Sequence, residues 1–135
     1  MKNIEEKVCI SATHLRTGID IVYSDDMCEL ASAPTGILLT EHEWRNIADL
    51  PDRLQRLAGK FACKEAIMKV LGRGIEQIDL VDIEILHDGF GKPIVFLQGS
   101  ALHCWRQIGF NQMEVSISHH KKYALGIAVA MKLAN

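Results

Sequence analysis

No pair of cysteines stands at CxxC spacing in this chain. Cys9, Cys28, Cys63 and Cys104 are scattered, so neither a zinc site nor a dithiol redox motif is indicated, and reduced, half-buried thiols are expected. No HExxH pattern accompanies the six histidines, and His42–Glu43 has no second histidine four residues on. The nucleophile elbow GxSxG, the dinucleotide fingerprint GxGxxG and the phosphate loop GxxxxGK[ST] are missing as well. No apolar run reaches the roughly 18–20 residues of a membrane helix. Glu5 and Glu6 interrupt any secretory pattern at the start, which predicts a cytoplasmic protein with no membrane partner. Basic excess is lacking too: 15 Lys and Arg face 17 Asp and Glu, a formal charge of −2. That excludes a broad nucleic-acid surface but not a local cation cluster for a small anion.

What is present fits one domain, 1–135, with 48% hydrophobic residues, enough for a core without staples. Lys7–Thr13 reads as a short strand and Thr17–Tyr23 as a stronger one, rich in β-branched residues. Asp20 interrupts it. By alternation Asp20 points away from the side used by Ile19 and Ile21, toward the open face unless it is held for a purpose. Ser24 is placed to cap a short helix with Asp25 and Asp26 in its first turn, ended by Ala33–Gly36. Thr40 and Glu43 match the capping-box spacing for a helix over 40–50. Asp49 and Pro51 then suit the start of a long helix over Asp52–Leu71. Its apolar stripe is Leu54, Leu57, Ala58, Phe61, Ala62, Ala66, Val70 and Leu71. Lys60, Lys64, Glu65 and Lys69 form its charged face, either a solvated surface or a place for a metal and a phosphate, and Gly72 ends it with positive φ.

Beyond Gln77, Val81, Ile83 and Ile85 alternate with acids, Asp88–Gly91 turns, and Lys92–Leu97 returns as a hairpin. A helix over Ser100–Ile108 stops at Gly109. Met113–Ser118 is a strand, His119–Lys122 a polar turn, and Tyr123–Met131 a strand whose small apolar residues suggest burial on both faces. The order predicts an α+β fold, a mainly antiparallel sheet packed against one long helix.

Five stretches then align with one family: GIDIV at 18–22, AGKFACKEAIMKVLGRGI at 58–75, DIEIL at 82–86, GKP at 91–93 and SISHHKKYALGIAVA at 116–130. Over residues 14–131 the chain resembles the holo-[acyl-carrier-protein] synthases, the small phosphopantetheinyl transferases, with 1–13 as an N-terminal extension. The resemblance implies transfer of the 4′-phosphopantetheine arm of coenzyme A to a serine of an apo carrier protein. It implies release of adenosine 3′,5′-bisphosphate, use of Mg²⁺, and a homotrimer with an active site at each subunit interface. Asp20 and Glu65 match the family's metal carboxylates, Lys69 its phosphate lysine, and His119 the histidine near the nucleotide. Glu65 and Lys69 would be the catalytic pair. Lys60, Gly72, Gly74, Lys92 and Pro93 fall where the family holds the rest of coenzyme A. His14, His42, His87 and His103 gain no role from the resemblance. Two departures stand out. Tyr23 replaces the glutamate that commonly follows GIDIV, and Asp25, Asp26 and Glu29 replace the basic residues that meet an acidic carrier. These predict a specialised carrier, less acidic or more apolar, with Arg45, Arg53 and Arg56 as the remaining positive surface. The alternative is a catalytically weak module that binds coenzyme A or a carrier.

Overall fold

A computed structural model describes residues 5–134. The first strand, β1 (Leu15–Tyr23), is followed by two short 3-10 segments at Ser24–Met27 and Leu30–Ser32, then α1 (Glu41–Arg45) and the long helix α2 (Arg53–Leu71). A hairpin of β2 (Ile83–His87) and β3 (Pro93–Leu97) leads to α3 (Gly99–Ile108). The chain closes with β4 (Gln112–His120) and β5 (Tyr123–Met131). The strands form two antiparallel sheets, β1-β5-β4 and β2-β3. The α+β class with a long helix laid on antiparallel strands is as expected from the sequence. The single sheet is divided because β3 and β4 approach without pairing.

Helix α2 crosses the larger sheet strand by strand. Gly18 of β1 lies beneath Ala66, and Gly126 of β5 beneath Ala62 and Cys63. A Cβ at Gly126 would stand 2.5 Å from the Cys63 nitrogen, so the helix seats closely only because the side chain is absent. Gly59 rests on Ile117 and His119 of β4. Contacts at 59, 62–63 and 66 step along the helix by about 5 Å each, close to the spacing of neighbouring strands. The helix therefore runs nearly perpendicular to the strands, from β4 to β1. One core packs α2 against α3 and the hairpin through Ile67, Leu71, Ile83 and Ile85. The other packs its first half against Val22, Leu38 and Leu39.

Several local expectations are corrected. Residues 7–13 carry no strand. Ser24 caps nothing: its N–H donates to the Lys122 carbonyl at 2.7 Å and its Oγ is buried without a partner. Helix α1 stops after five residues, although the Thr40–Glu43 capping box forms. Pro51 lies in a turn before α2 and Asp49 does not cap it: the N-cap position is Asp52, whose carboxylate accepts from Arg56 Nε at 2.9 Å rather than from the helix backbone. His119 and His120 belong to β4, so the turn is only Lys121–Lys122. Cys9 and Cys28 are exposed, while Cys63 and Cys104 are buried.

The largest correction concerns which way the big sheet faces. On β1 the residues under α2 are Gly18, Asp20 and Val22, whereas Ile19 and Ile21 are 54% and 63% exposed. On β5 the alanines face the core and Tyr123, Leu125 and Ile127 face outward, so β5 is buried on one face only. The outward residues pair across the strands as Ile19 with Ile127, Ile21 with Leu125 and Tyr23 with Tyr123. The open face is thus an apolar stripe, and Asp20 is on the covered side.

Candidate functional site

The strand β1 and the middle of α2 bring Asp20, Glu65 and Lys69 together. Lys69 Nζ donates to the Ile19 carbonyl at 2.5 Å and lies 3.5 Å from Asp20 Oδ1. The Asp20 side chain is 23% exposed, too covered for an idle surface carboxylate and open enough to meet a ligand. Partial burial raises the Glu65 carboxyl above its ordinary range, the Asp20 charge pushes the same way, and Lys69 opposes both. Two carboxylates from different elements, set close enough to repel, make a pair of hard oxygen donors. Among the described residues no cluster of three or more His, Cys, Asp or Glu forms a cage. A divalent cation completed by water and substrate phosphates fits this donor set; Mg²⁺ often takes only one or two protein carboxylates.

A second pole lies at the other side of α2. A cavity of about 830 Å³ opens between the N-terminal half of α2, the hairpin and β4. Arg56, Gly59, Lys60, His87, Gly91, Pro93 and His119 line it, with Gln55 and Asp52 at its edge. His119 Nε2 is 3.0 Å from the Gln55 carbonyl, which holds the ring against Gly59. Of the residues singled out in the sequence, Lys60, Pro93 and His119 meet here. Lys92 does not. Its amine turns to Glu114 of β4 at 2.9 Å, bordering a separate groove. Gly72 ends α2 with φ of 70° and, with Gly74, lies 13 or more residues beyond Gly59, about 20 Å along the helix.

The four charged residues of α2 do not share one face. Lys60 and Lys64 are 1% and 0% exposed. Lys64 Nζ donates to Glu43 Oε1 at 2.8 Å and to the carbonyls of Leu38 and Leu80. Glu43 also accepts from the Thr40 and Ile85 amides, so one carboxylate ties α1, α2 and β2. Lys64 is a core group, not a solvated lysine. Lys60 donates to the Ile85 carbonyl, and burial lowers its pKa to about 8. Arg56 and Glu65 are nine residues apart, two and a half turns, so they leave opposite sides of the helix about 14 Å apart along it. Within one chain α2 separates the carboxylate pole from the cavity.

Sequence reasoning missed His87 and Gly59 and gave Arg56 a different task. The signal for Gly59 was a glycine inside a helix, which often marks close approach. Nothing local marked His87, because the cavity is assembled by tertiary packing.

Residues 16–128 match the sequence profile of the 4′-phosphopantetheinyl transferase superfamily. A holo-[acyl-carrier-protein] synthase from Alkaliphilus oremlandii is 37% identical over 117 residues, covering 84% of this chain and 96% of its own. Among solved structures, the Neisseria meningitidis holo-[acyl-carrier-protein] synthase superposes with a TM-score of 0.74 at 32% identity, covering 89% of this chain and 98% of the other. A Bacillus anthracis holo-(acyl-carrier-protein) synthase, solved in complex with CoA (3′,5′-ADP), superposes with a TM-score of 0.71 at 29% identity, covering 87% and 96%.

Proposed function

The chain belongs to the holo-[acyl-carrier-protein] synthase family of phosphopantetheinyl transferases, and from that premise we propose that it works as a Mg²⁺-dependent homotrimer. It is an enzyme that moves the 4′-phosphopantetheine arm of coenzyme A to an apo acyl carrier protein. In this reading the products are the holo carrier, modified on a serine, and adenosine 3′,5′-bisphosphate. The observation that carries it is the Asp20–Glu65–Lys69 constellation, half-covered at the β1 edge of α2.

Asp20 and Glu65 would hold the Mg²⁺. When bound, the ion neutralises pyrophosphate charge and stabilises the bisphosphate as it leaves. Lys69 already stands beside Asp20 and neutralises charge on the phosphoryl group being transferred. Glu65 is the group to receive the serine proton. Partial burial raises its pKa, which makes it a stronger base toward the alcohol's proton. Coenzyme A places its nucleotide half in the cavity of Lys60, Pro93 and His119. The Gly72–Gly74 loop and Lys92 are farther from that cavity within one chain, and their contacts with coenzyme A would be made across a subunit boundary or not at all.

Two features support assembly. Helix α2 divides the two poles, so a ligand that uses both meets them on two copies of the chain. The outer stripe of β1 and β5 offers the apolar surface for such a contact.

The test is intact mass spectrometry of apo carriers incubated with the protein, Mg²⁺ and coenzyme A. One phosphopantetheine adduct per carrier is expected, lost with a chelator and lost with Glu65→Gln, whose circular dichroism stays native. Coenzyme A binding with no adduct on any carrier would favour a binding module instead. Near-normal transfer by Glu65→Gln would refute the carboxylate assignment.

A further inference from the structure

Strand β1 crosses beneath the last turns of α2, and alternate residues of its covered face meet the helix. Gly18 is the point of closest approach. A Cβ there would stand 1.9 Å from the Ala66 carbonyl oxygen, so only backbone separates strand and helix. On one side of that contact Asp20 lies 3.5 Å from the Lys69 amine. On the other side Arg16 Nη1 donates to the Val70 carbonyl at 3.1 Å. Successive helix residues are about 100° apart around the axis. Relative to Ala66, Glu65 and Lys69 therefore leave on one flank, about 100° and 60° away, and Val70 on the other, about 40° away.

Arg16 has no part in the chemistry above. Val70 holds one of the carbonyls that a helix end leaves without an internal partner. The Gly72 and Arg73 amides serve those of Met68 and Lys69, and Arg16 serves Val70. The guanidinium is itself held, over the Phe110 ring at 5.2 Å from the centroid. At a glycine contact nothing bulky keys the helix against rolling about its axis. Side chains reach about 5–6 Å from that axis, so a roll of about 10° moves a carboxylate by about 1 Å. A misplacement of that size is costly at a reacting centre. On the reading that Asp20 and Glu65 hold Mg²⁺, we infer that Arg16 is a positioning residue for the ion. By gripping Val70 on the flank opposite Asp20, it stops α2 from rolling and sets the distance between the two carboxylates.

Charge alone predicts the opposite sign. Arg16 is four residues from Asp20, about 13 Å along the strand, beyond a screening length of about 8 Å at physiological salt. Removing a cation relieves whatever repulsion it exerts on a metal, whereas losing the grip weakens metal binding.

The experiment follows free Mn²⁺ by electron paramagnetic resonance as it is titrated into the full-length protein saturated with coenzyme A, without a carrier. Coenzyme A alone gives the background. Arg16→Gln should bind Mn²⁺ about tenfold more weakly than wild type, the scale of losing a group that orients a metal ligand. Its affinity for coenzyme A without metal should be unchanged. Arg16→Lys, which keeps a donor for Val70, should fall between the two. Ser100→Ala removes hydroxyl bonds to the Asp82 carboxylate and the Asp79 amide at the start of α3. It should melt at a lower temperature yet bind Mn²⁺ as wild type does. Equal or tighter Mn²⁺ binding by Arg16→Gln, or the same weakening in Ser100→Ala, would overturn the positioning role and leave the carboxylate site standing. Wild type that retains no more Mn²⁺ than coenzyme A alone would overturn both.

Discussion

At the scale of single residues, the two buried lysines of α2, Lys60 and Lys64, decide how its charged sequence is to be understood. Helical Lys and Glu at 60–69 suggest a solvated face because long charged side chains are seldom covered. Lys64 is covered because its partners come from far away in sequence: Glu43, and the carbonyls of Leu38 and Leu80. Removing one partner leaves a buried charge, so Lys64→Met and Glu43→Gln should each cost about 3–5 kcal/mol in urea unfolding, and the double variant less than their sum. Lys60 makes a pH prediction. Its folded pKa of about 8 lies below the unfolded value of 10.5. Between these the unfolded chain binds more protons, so stability contributed by this site rises as pH climbs from 8 to 10. Relative to Lys60→Met, wild type should gain on the order of 2 kcal/mol over that interval in paired denaturation curves. An unchanged difference between the two proteins would mean that the amine keeps its proton throughout. Asp20 and Glu65 were legible in the sequence only through motif resemblance. Strand alternation alone sent Asp20 to the open side, because it assumes that isoleucines face the core, and here they face outward.

At the scale of elements, α2 was legible almost to the residue, since its apolar repeat, its length and Gly72 agree with the observed Arg53–Leu71. The shorter pieces were less so. The capping box at Thr40 was correct, but local signals do not say how far a helix continues once its start is set, and α1 ends at Arg45. The close seating of α2 on β5 gives a sharp test. Gly126→Ala would press a methyl against the Cys63 amide and the Ala62 carbonyl. It should destabilise the fold by about 2–3 kcal/mol, the scale of an overpacked core, whereas Gly89→Ala in the open hairpin turn should shift stability little. Thermal melts of the two variants provide the comparison. The hairpin itself was expected from alternation, yet the gap between β3 and β4 was not, because pairing between distant strands leaves no local trace.

At the scale of the whole molecule, the sequence pattern indicated the fold class, while the separation of the two poles came only from the three-dimensional path of α2. Among the described residues no helix is long and apolar enough to cross a membrane. The exposed apolar stripe is open to another cover, which in the proposed homotrimer is a second copy of the chain. Ile127→Asp on that stripe should convert the assembly to monomers in analytical ultracentrifugation and abolish transfer together with assembly. The carrier surface is the remaining partner. Asp25 and Asp26 are exposed beside β1, with Asp25 paired to Lys122 at 2.8 Å, and Glu29 is exposed one turn on. A strongly acidic carrier would be repelled there. Turnover of a less acidic, pathway-specific carrier should exceed that of a housekeeping one, and efficient, salt-sensitive modification of the acidic carrier would contradict this.

Subunit mixing tests the divided site most directly. Glu65→Gln disables the carboxylate pole and the double variant Arg56→Ala, His119→Ala disables the cavity. If each site takes one pole from each of two copies, mixed and reassembled subunits regain about a quarter of wild-type transfer, because one site in four pairs two intact poles. Activity no greater than the average of the separate variants would show that each chain works alone, contrary to the account.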